Sequence, residues 1–267
     1  MKAALHIKVA ASGTTSFLQN SFCTTPFKVM NVTEVKNSKQ LHLMLMSSSP
    51  GILDGDVYDM KVEVAENASL HLHTQAYQRL FQMKGGATQK LNVYVSDGAS
   101  FVFLPHPSVP HRQSNFVSRN TFYLSNYRRF IFGEVLTCGR KLNGEAFLFT
   151  KFHSSTELYF HKKLVIKENL LMQPANIEVN AIGQLEGFTH QASLIYLEEA
   201  IDLKAVQSLL LNLLSIEKNI QFGVSEAPVN GLIVRLLGNG AEQLRHCMLR
   251  INILLNEYTC KTLEHAD

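Results

Sequence analysis

The chain has 267 residues, 46% of them hydrophobic, so it can bury a sizeable core without help from staples. Its 25 lysines and arginines stand against 22 aspartates and glutamates, a formal balance of +3 with no long run of like charge. That excludes a cationic stripe for nucleic acid, which needs clustered charges to displace counterions from phosphates.

Residues 1–12 carry His6 and Lys8 inside the stretch that a signal peptide would need apolar. No window approaches the roughly 20 apolar residues of a membrane-spanning helix. Cys23, Cys138, Cys247 and Cys260 are scattered without a C-x-x-C pair, so neither a disulfide framework nor a thiolate zinc site is indicated, and a reducing cytoplasm is the expected location.

Period-two alternation dominates the first two hundred residues. Leu41, Leu43 and Leu45 oppose His42 and Met44, and Leu91, Val93 and Val95 oppose Asn92 and Tyr94, as strands with one buried face require. Turn signals recur at Ser49-Pro50-Gly51, Glu66-Asn67, Gly85-Gly86, Asp97-Gly98 and Asn143-Gly144, the last predicting a hairpin. Many short strands with frequent turns predict a sandwich, a barrel or an irregular stack of sheets.

The period then changes. Asp202 is placed to cap a helix over about 202–217 whose stripe is Leu203, Val206, Leu210, Leu213 and Leu214. A second helix, about 241–258, follows with Leu244, Met248, Ile251, Leu255 and Tyr258 on one face. Leu232, Val234 and Leu236 predict a strand between them. The expectation is a mainly β fold: one domain over 1–267, with an irregular multi-sheet β body over about 1–200 and two C-terminal α-helices packed on it.

Four groups of residues could carry chemistry. His71 and His73 alternate with Leu70 and Leu72, so both imidazoles share one strand face, roughly 7 Å apart. They read either as the polar face of an amphipathic strand or as two nitrogens offered to a metal, and the local sequence supplies no third ligand. His106 and His111 fall in a segment that Pro105, Pro107 and Pro110 hold extended, at a sheet edge or in a loop. Asp54, Asp56 and Asp59 cluster around turn residues, as an Asx-turn feature or as carboxylates for a hard or borderline cation, without the spacing of an EF-hand loop. Glu134 and Glu145 flank the predicted hairpin. They could serve as general acid and base, or form a structural ion pair with Arg140 or Lys141. No G-x-S-x-G elbow, phosphate-binding loop or H-E-x-x-H motif is present, so no enzyme motif supports a catalytic reading.

Taken in order, five segments resemble the UreD (UreH) family of urease accessory proteins. SPGILDGD resembles the family's turn ending in Gly-Asp, here Gly55 and Asp56. HTQAYQRLF resembles its Thr-Gln strand with a basic residue four positions on, here Thr74, Gln75 and Arg79. LPHPSVP resembles its Leu-Pro-x-Pro segment, GEVLTCGRKLNGE its paired acids around a Gly-Arg turn (Glu134, Gly139, Arg140, Gly144, Glu145), and VRLLG its approach to the last helix.

The resemblance implies a non-enzymatic scaffold that binds the accessory protein UreF and, through it, the GTPase UreG. It further implies docking on apo-urease and delivery of nickel through an internal polar passage. No tightly bound cofactor is implied, only nickel in transit, with Asp56, Asp59 and Glu134 at the family's acidic positions. Two other classes compete. A metal-dependent hydrolase needs three convergent ligands and an open coordination position, of which His71 and His73 supply a beginning. A generic β-rich ligand-binding module, such as a sugar-binding jelly roll, usually presents aromatic platforms, and tryptophan is absent.

Overall fold

A computed structural model describes residues 1–35 and 37–264, with side chains to Thr259; Cys260 therefore lies outside the described side chains. In chain order the strands are β1 Lys2–Ser12, β2 Thr15–Cys23, β3 Phe27–Asn31, β4 Leu41–Ser47, β5 Val57–Val64, β6 Ser69–Thr74, β7 Gln78–Leu80, β8 Ala87–Val95 and β9 Ser100–Phe103. They continue as β10 Ser108–Pro110, β11 Asn115–Leu124, β12 Arg129–Leu136, β13 Lys151–Phe160, β14 Lys163–Met172 and β15 His190–Glu198. Helix α1 (Leu203–Ser215), strands β16 (Ile220–Glu226) and β17 (Gly231–Gly238), and helix α2 (Ala241–Glu264) complete the chain.

These strands form two sheets. One has seven strands in the order β14-β13-β11-β8-β5-β1-β2; the other has ten, running β16-β17-β15-β12-β9-β6-β4-β3 with β10 and β7 paired at its side. From β4 to β13 the chain passes back and forth between the sheets, and the neighbours it lays down are parallel: β1/β5/β8/β11/β13 in one, β4/β6/β9/β12 in the other. Parallel neighbours need a long crossover, and here a strand of the opposite sheet serves where α/β proteins use a helix. Antiparallel partners close the ends of both sheets.

Alternation decides which side chains meet. β1 turns Ala3, Leu5, Ile7 and Val9 inward, and β8 turns Leu91, Val93 and Val95 inward. The inter-sheet core joins these to Val62, Leu70, Leu72, Phe101, Phe122 and Phe130. β9 is apolar on both faces because Phe101 and Phe103 enter that core while Val102 and Leu104 face the helices. On the outer face of the ten-stranded sheet, Val206, Leu210 and Leu214 of α1 and Leu244, Met248, Ile251 and Leu255 of α2 cover Ile131, Tyr196 and Val234. The Asp202 carboxylate caps α1, accepting from the Lys204 and Ala205 N–H groups at 3.0 and 3.1 Å.

Three expectations are corrected. Asn143-Gly144 does not turn a hairpin: residues 141–143 form a 3₁₀ turn, Gly144 sits at φ +75°, and β12 instead pairs with β15. The 137–150 loop has to carry the chain to the other sheet, where β13 lies parallel to β11, and a hairpin cannot do that. Helix α2 runs past 258 to Glu264, and β16 carries a strand that the sequence pattern did not announce.

Candidate functional site

The alternation that builds the core also places polar groups inside it. In β11 the inward positions read Phe116, Ser118, Asn120, Phe122, and in β13 Phe152, Ser154, Thr156, Leu158; the four polar residues are all buried. Register aligns them, Ser118 beside Ser154 and Asn120 beside Thr156, and extends the first row through Gln89 of β8 to Tyr58 of β5. A polar band thus crosses the seven-stranded sheet within an otherwise apolar layer.

Glu134 meets this band from the opposite sheet. It follows Phe130 and Phe132 on the inward face of β12. The Ser154 hydroxyl lies 2.9 Å from both of its carboxylate oxygens, and the Asn120 amide donates to one of them at 3.3 Å and to the Thr156 hydroxyl at 3.2 Å. Two cavities, of about 400 and 670 Å³, share Ser108, Glu134, Val135 and Phe152 in their walls. Glu134 therefore stands where they adjoin. The first cavity opens past Ser49-Pro50-Gly51, Thr74, Gln75 and Arg79; the second reaches Gln191, Ser193, Glu168 and Arg235. Arg235 donates to both Glu168 oxygens at 2.5 and 2.7 Å, bridging the sheets at that end.

Burial pushes the Glu134 carboxyl above the ordinary value of 4.5; the Ser154 and Asn120 hydrogen bonds oppose that rise, and the Glu168 carboxylate adds to it. A carboxyl whose pKa is raised on folding contributes stability below its unfolded value and loses it as pH rises through the folded one. Glu134→Gln is therefore expected to be more stable than the parent protein at neutral pH, because the amide can still accept from Ser154 and Asn120. Urea midpoints near pH 7 and pH 4 check this: the advantage should shrink in acid, and an equal effect at both would refute it.

The predicted carboxylates do not form one cluster. Asp56 is buried and structural: its carboxylate takes the N-terminal ammonium at 2.8 Å, the Leu53 N–H at 2.8 Å and the Tyr58 hydroxyl at 3.1 Å. Burial disfavours its charge, but these donors outweigh burial and hold its pKa below the ordinary carboxylate value. Through Tyr58 it ends the polar band. Asp54 accepts from the Gly85 and Gly86 N–H groups at 2.9 and 2.8 Å. Asp59 is exposed on the outer face of β5, opposite Tyr58 and Met60.

The turn before Asp56 is fixed by close contact. A Cβ on Gly51 would lie 2.4 Å from the Arg79 carbonyl oxygen, so the 49–56 turn and the β7 segment meet without room for a side chain. Thr74 accepts from the His106 N–H and shares a 2.8 Å hydrogen bond with its Nδ1. Gln75 and Arg79 are exposed at the cavity wall. Arg140 pairs with Glu145 through Nε at 2.9 Å, while Glu134 touches neither Arg140 nor Lys141: the local ion pair forms, but with only one of the two acids.

His71 and His73 do share a face, but their ring centroids are 3.9 Å apart rather than about 7 Å, and a third histidine joins them. Register places His42 of β4 directly beside His71, and its Nδ1 lies 3.0 Å from His73 Nε2. One ring nitrogen from each of the three lies within 4.8 Å of the other two. Burial lowers the His71 pKa to about 3 and the His73 pKa to about 4, with neighbouring imidazoles adding to the effect, and burial lowers that of His42 as well. All three rings are therefore neutral at physiological pH.

The inward serines, asparagine and threonine each pass as an ordinary strand residue. The available signal was their position, on the apolar phase of the alternation between Phe116 and Phe122 and between Phe152 and Leu158. Among the described residues no helix is long and apolar enough to cross a membrane.

Fold and site define a coiled, two-sheet β scaffold with a polar slot in its core, at one half-buried carboxyl, Glu134. The sequence profile described as UreD urease accessory protein matches residues 1–264, and the chain belongs to that family, with a role in urease maturation. It is 47% identical to the urease accessory protein UreD of Flavobacterium johnsoniae over 237 residues, 88% of this chain and 86% of that protein. The proteins of the same description from Actinobacillus pleuropneumoniae serotype 5b and Acetivibrio thermocellus are 35% and 33% identical, covering 95% and 94% of this chain and 96% of each relative.

Proposed function

We propose that the protein is a non-catalytic scaffold of urease maturation, acting in the cytoplasm, which binds UreF and through it UreG, docks on apo-urease, and lets nickel cross its core past Glu134. The observation that carries this reading is the junction of two cavities at Glu134, lined by hydroxyl and amide groups.

An ion in transit needs groups that replace part of its hydration shell yet release it, the compromise that pores reach. Oxygen donors with retained water suit this better than thiolates, which hold borderline metals more tightly. A single carboxylate among neutral oxygens supplies attraction without a trap, and the arriving cation offers the opposite charge that burial withholds. Asp56 contributes by fixing the turn at the mouth; Asp59, on the outer face, is available to a docking partner.

The test is reconstitution of the assembly with UreF, UreG, apo-urease and nickel. Removing one charged ligand, with interactions of about 1.5–3 kcal/mol, should lower nickel loading of urease roughly tenfold or more in Glu134→Ala. Complex formation should persist, and Asp59→Ala should load nickel normally. Wild-type activation by an assembled Glu134→Ala complex would show that the ion does not pass this residue.

A further inference from the structure

We propose that His42, His71 and His73 form a binding site for one borderline divalent cation of the nickel and zinc type, on the outer face of the ten-stranded sheet and separate from the slot. The proposal stands independently of the nickel-passage reading. Imidazole nitrogens are ligands of choice for such ions.

The site is produced by sheet register. One transverse row across the outer face reads His42, His71, Val102, Ile131, Tyr196, Leu232, each residue paired with the next. The last four are covered by α1 and α2. The first two lie beyond that apolar cover, and His73, two residues along β6 from His71, completes the group. Hydrophobic burial accounts for the covered residues in this row and does not account for three clustered imidazoles at its end.

The geometry is close to that of a chelate. Two nitrogens each about 2.1 Å from one ion, at right angles, stand about 3 Å apart, and His42 Nδ1 and His73 Nε2 are already 3.0 Å apart. The His71 ring stacks on His73 with 27° between the planes, and one of its nitrogens lies within 4.8 Å of a nitrogen of each of the other two. The His71 backbone is paired with β4 and β9, but its imidazole is in no hydrogen bond among the described residues, so binding breaks none there. His71 is buried and the other two are half-buried, which leaves a solvent side for water ligands. The His42 backbone is held in place: its N–H donates to the Thr33 hydroxyl at 2.9 Å and its carbonyl accepts from Val32 at 2.9 Å.

The surrounding charges set the affinity. Arg245 of α2 acts on His73 and His106 as a nearby positive charge and is 3.8 Å from Glu242, while Glu34 is the acidic neighbour of His42. One guanidinium facing the imidazoles weakens cation binding without displacing it.

The experiment uses the purified full-length chain with nickel chloride, zinc chloride and, as a hard-cation control, magnesium chloride. Titration calorimetry should give one equivalent for nickel and for zinc and none for magnesium, and each bound ion should raise the melting temperature. His42→Gln and His73→Gln, both at half-buried positions, should each weaken binding at least about tenfold, as loss of a ligand does, and abolish the thermal shift while circular dichroism stays unchanged. Arg245→Gln should bind several-fold more tightly. X-ray absorption on the nickel form should show imidazole ligation. The site is refuted by absence of nickel and zinc binding in the folded chain, or by an equivalent that survives in folded His42→Gln and His73→Gln. An equivalent lost instead in Glu134→Ala would put the ion in the slot and overturn the imidazole site.

Discussion

Arg129→Ala is expected to cost about 3–5 kcal/mol of stability, the usual loss when one partner of a buried ion pair is removed. Arg129 opens β12 and lies opposite Glu198 of β15 in register. Its Nε is 2.8 Å from one Glu198 oxygen and its NH2 group 3.1 Å from the other, with the two side chains only 11% and 6% exposed. The guanidinium also reaches the Leu255 carbonyl at 3.4 Å and the side chains of Asn256 and Thr259, so one cation ties the sheet to α2. Tyr196, fully buried, donates to Glu198 at 2.7 Å, and both burial and that carboxylate push its hydroxyl pKa upward. Without Arg129 the carboxylate keeps the Tyr196 and Thr259 hydroxyls and no cation. Urea unfolding checks the value, and the double change Arg129→Met with Glu198→Met should recover much of it because neither charge is stranded. A loss below about 1 kcal/mol in Arg129→Ala would mean that the pair is effectively solvated.

Phe122→Ala should be comparably damaging, at about 3–5 kcal/mol, because it removes a buried ring and leaves a cavity. Phe122 has no exposed surface, and its ring centroid is 4.7 Å from that of Phe132, 4.9 Å from Phe130 and 6.4 Å from Phe101. It sits two residues from Asn120, on the same face, so it forms the apolar wall against which the polar slot ends. Phe122→Leu should cost well under half as much, since most of the volume is kept. Denaturant midpoints for the two variants decide this; equal losses would point to a specific aromatic contribution rather than to the void.

Sequence periodicity revealed much of the fold. The leucines of β4 and the Leu91–Val93–Val95 phase of β8 face the core as the alternation requires, and the stripes of both helices and the Asp202 cap lie where the 3.6-residue period put them. Alternation states which face a residue takes, but says nothing about which strand lies alongside. For that reason the alternation left a sandwich, a barrel and an irregular stack of sheets open, and Asn143-Gly144, a good turn by local chemistry, was read as a hairpin. The site was hidden for the same reason. His42 and His71 are 29 positions apart, and only register makes them neighbours. Glu134 and Glu145 seemed a pair because they are near in sequence, but Glu134 faces the slot while Glu145 stays in the loop with Arg140.

The parallel coil also has a consequence for how the chain is made. Successive neighbours in the row His42, His71, Val102, Ile131 are separated by 29, 31 and 29 residues, so none of the parallel strands β6, β9 and β12 meets its earlier partner until the chain has crossed to the opposite sheet and back. Loop closure must precede each reward, the circumstance that makes non-local topologies slow to assemble and leaves unpaired edges open meanwhile. The antiparallel pairs β1 with β2, β3 with β4, β13 with β14 and β16 with β17, each consecutive in the chain, can zip locally as they emerge. Growth from the ribosome therefore adds one winding at a time onto open edges, that of the seven-stranded sheet staying unsatisfied until β13 and β14 arrive and that of the ten-stranded sheet until β15 does.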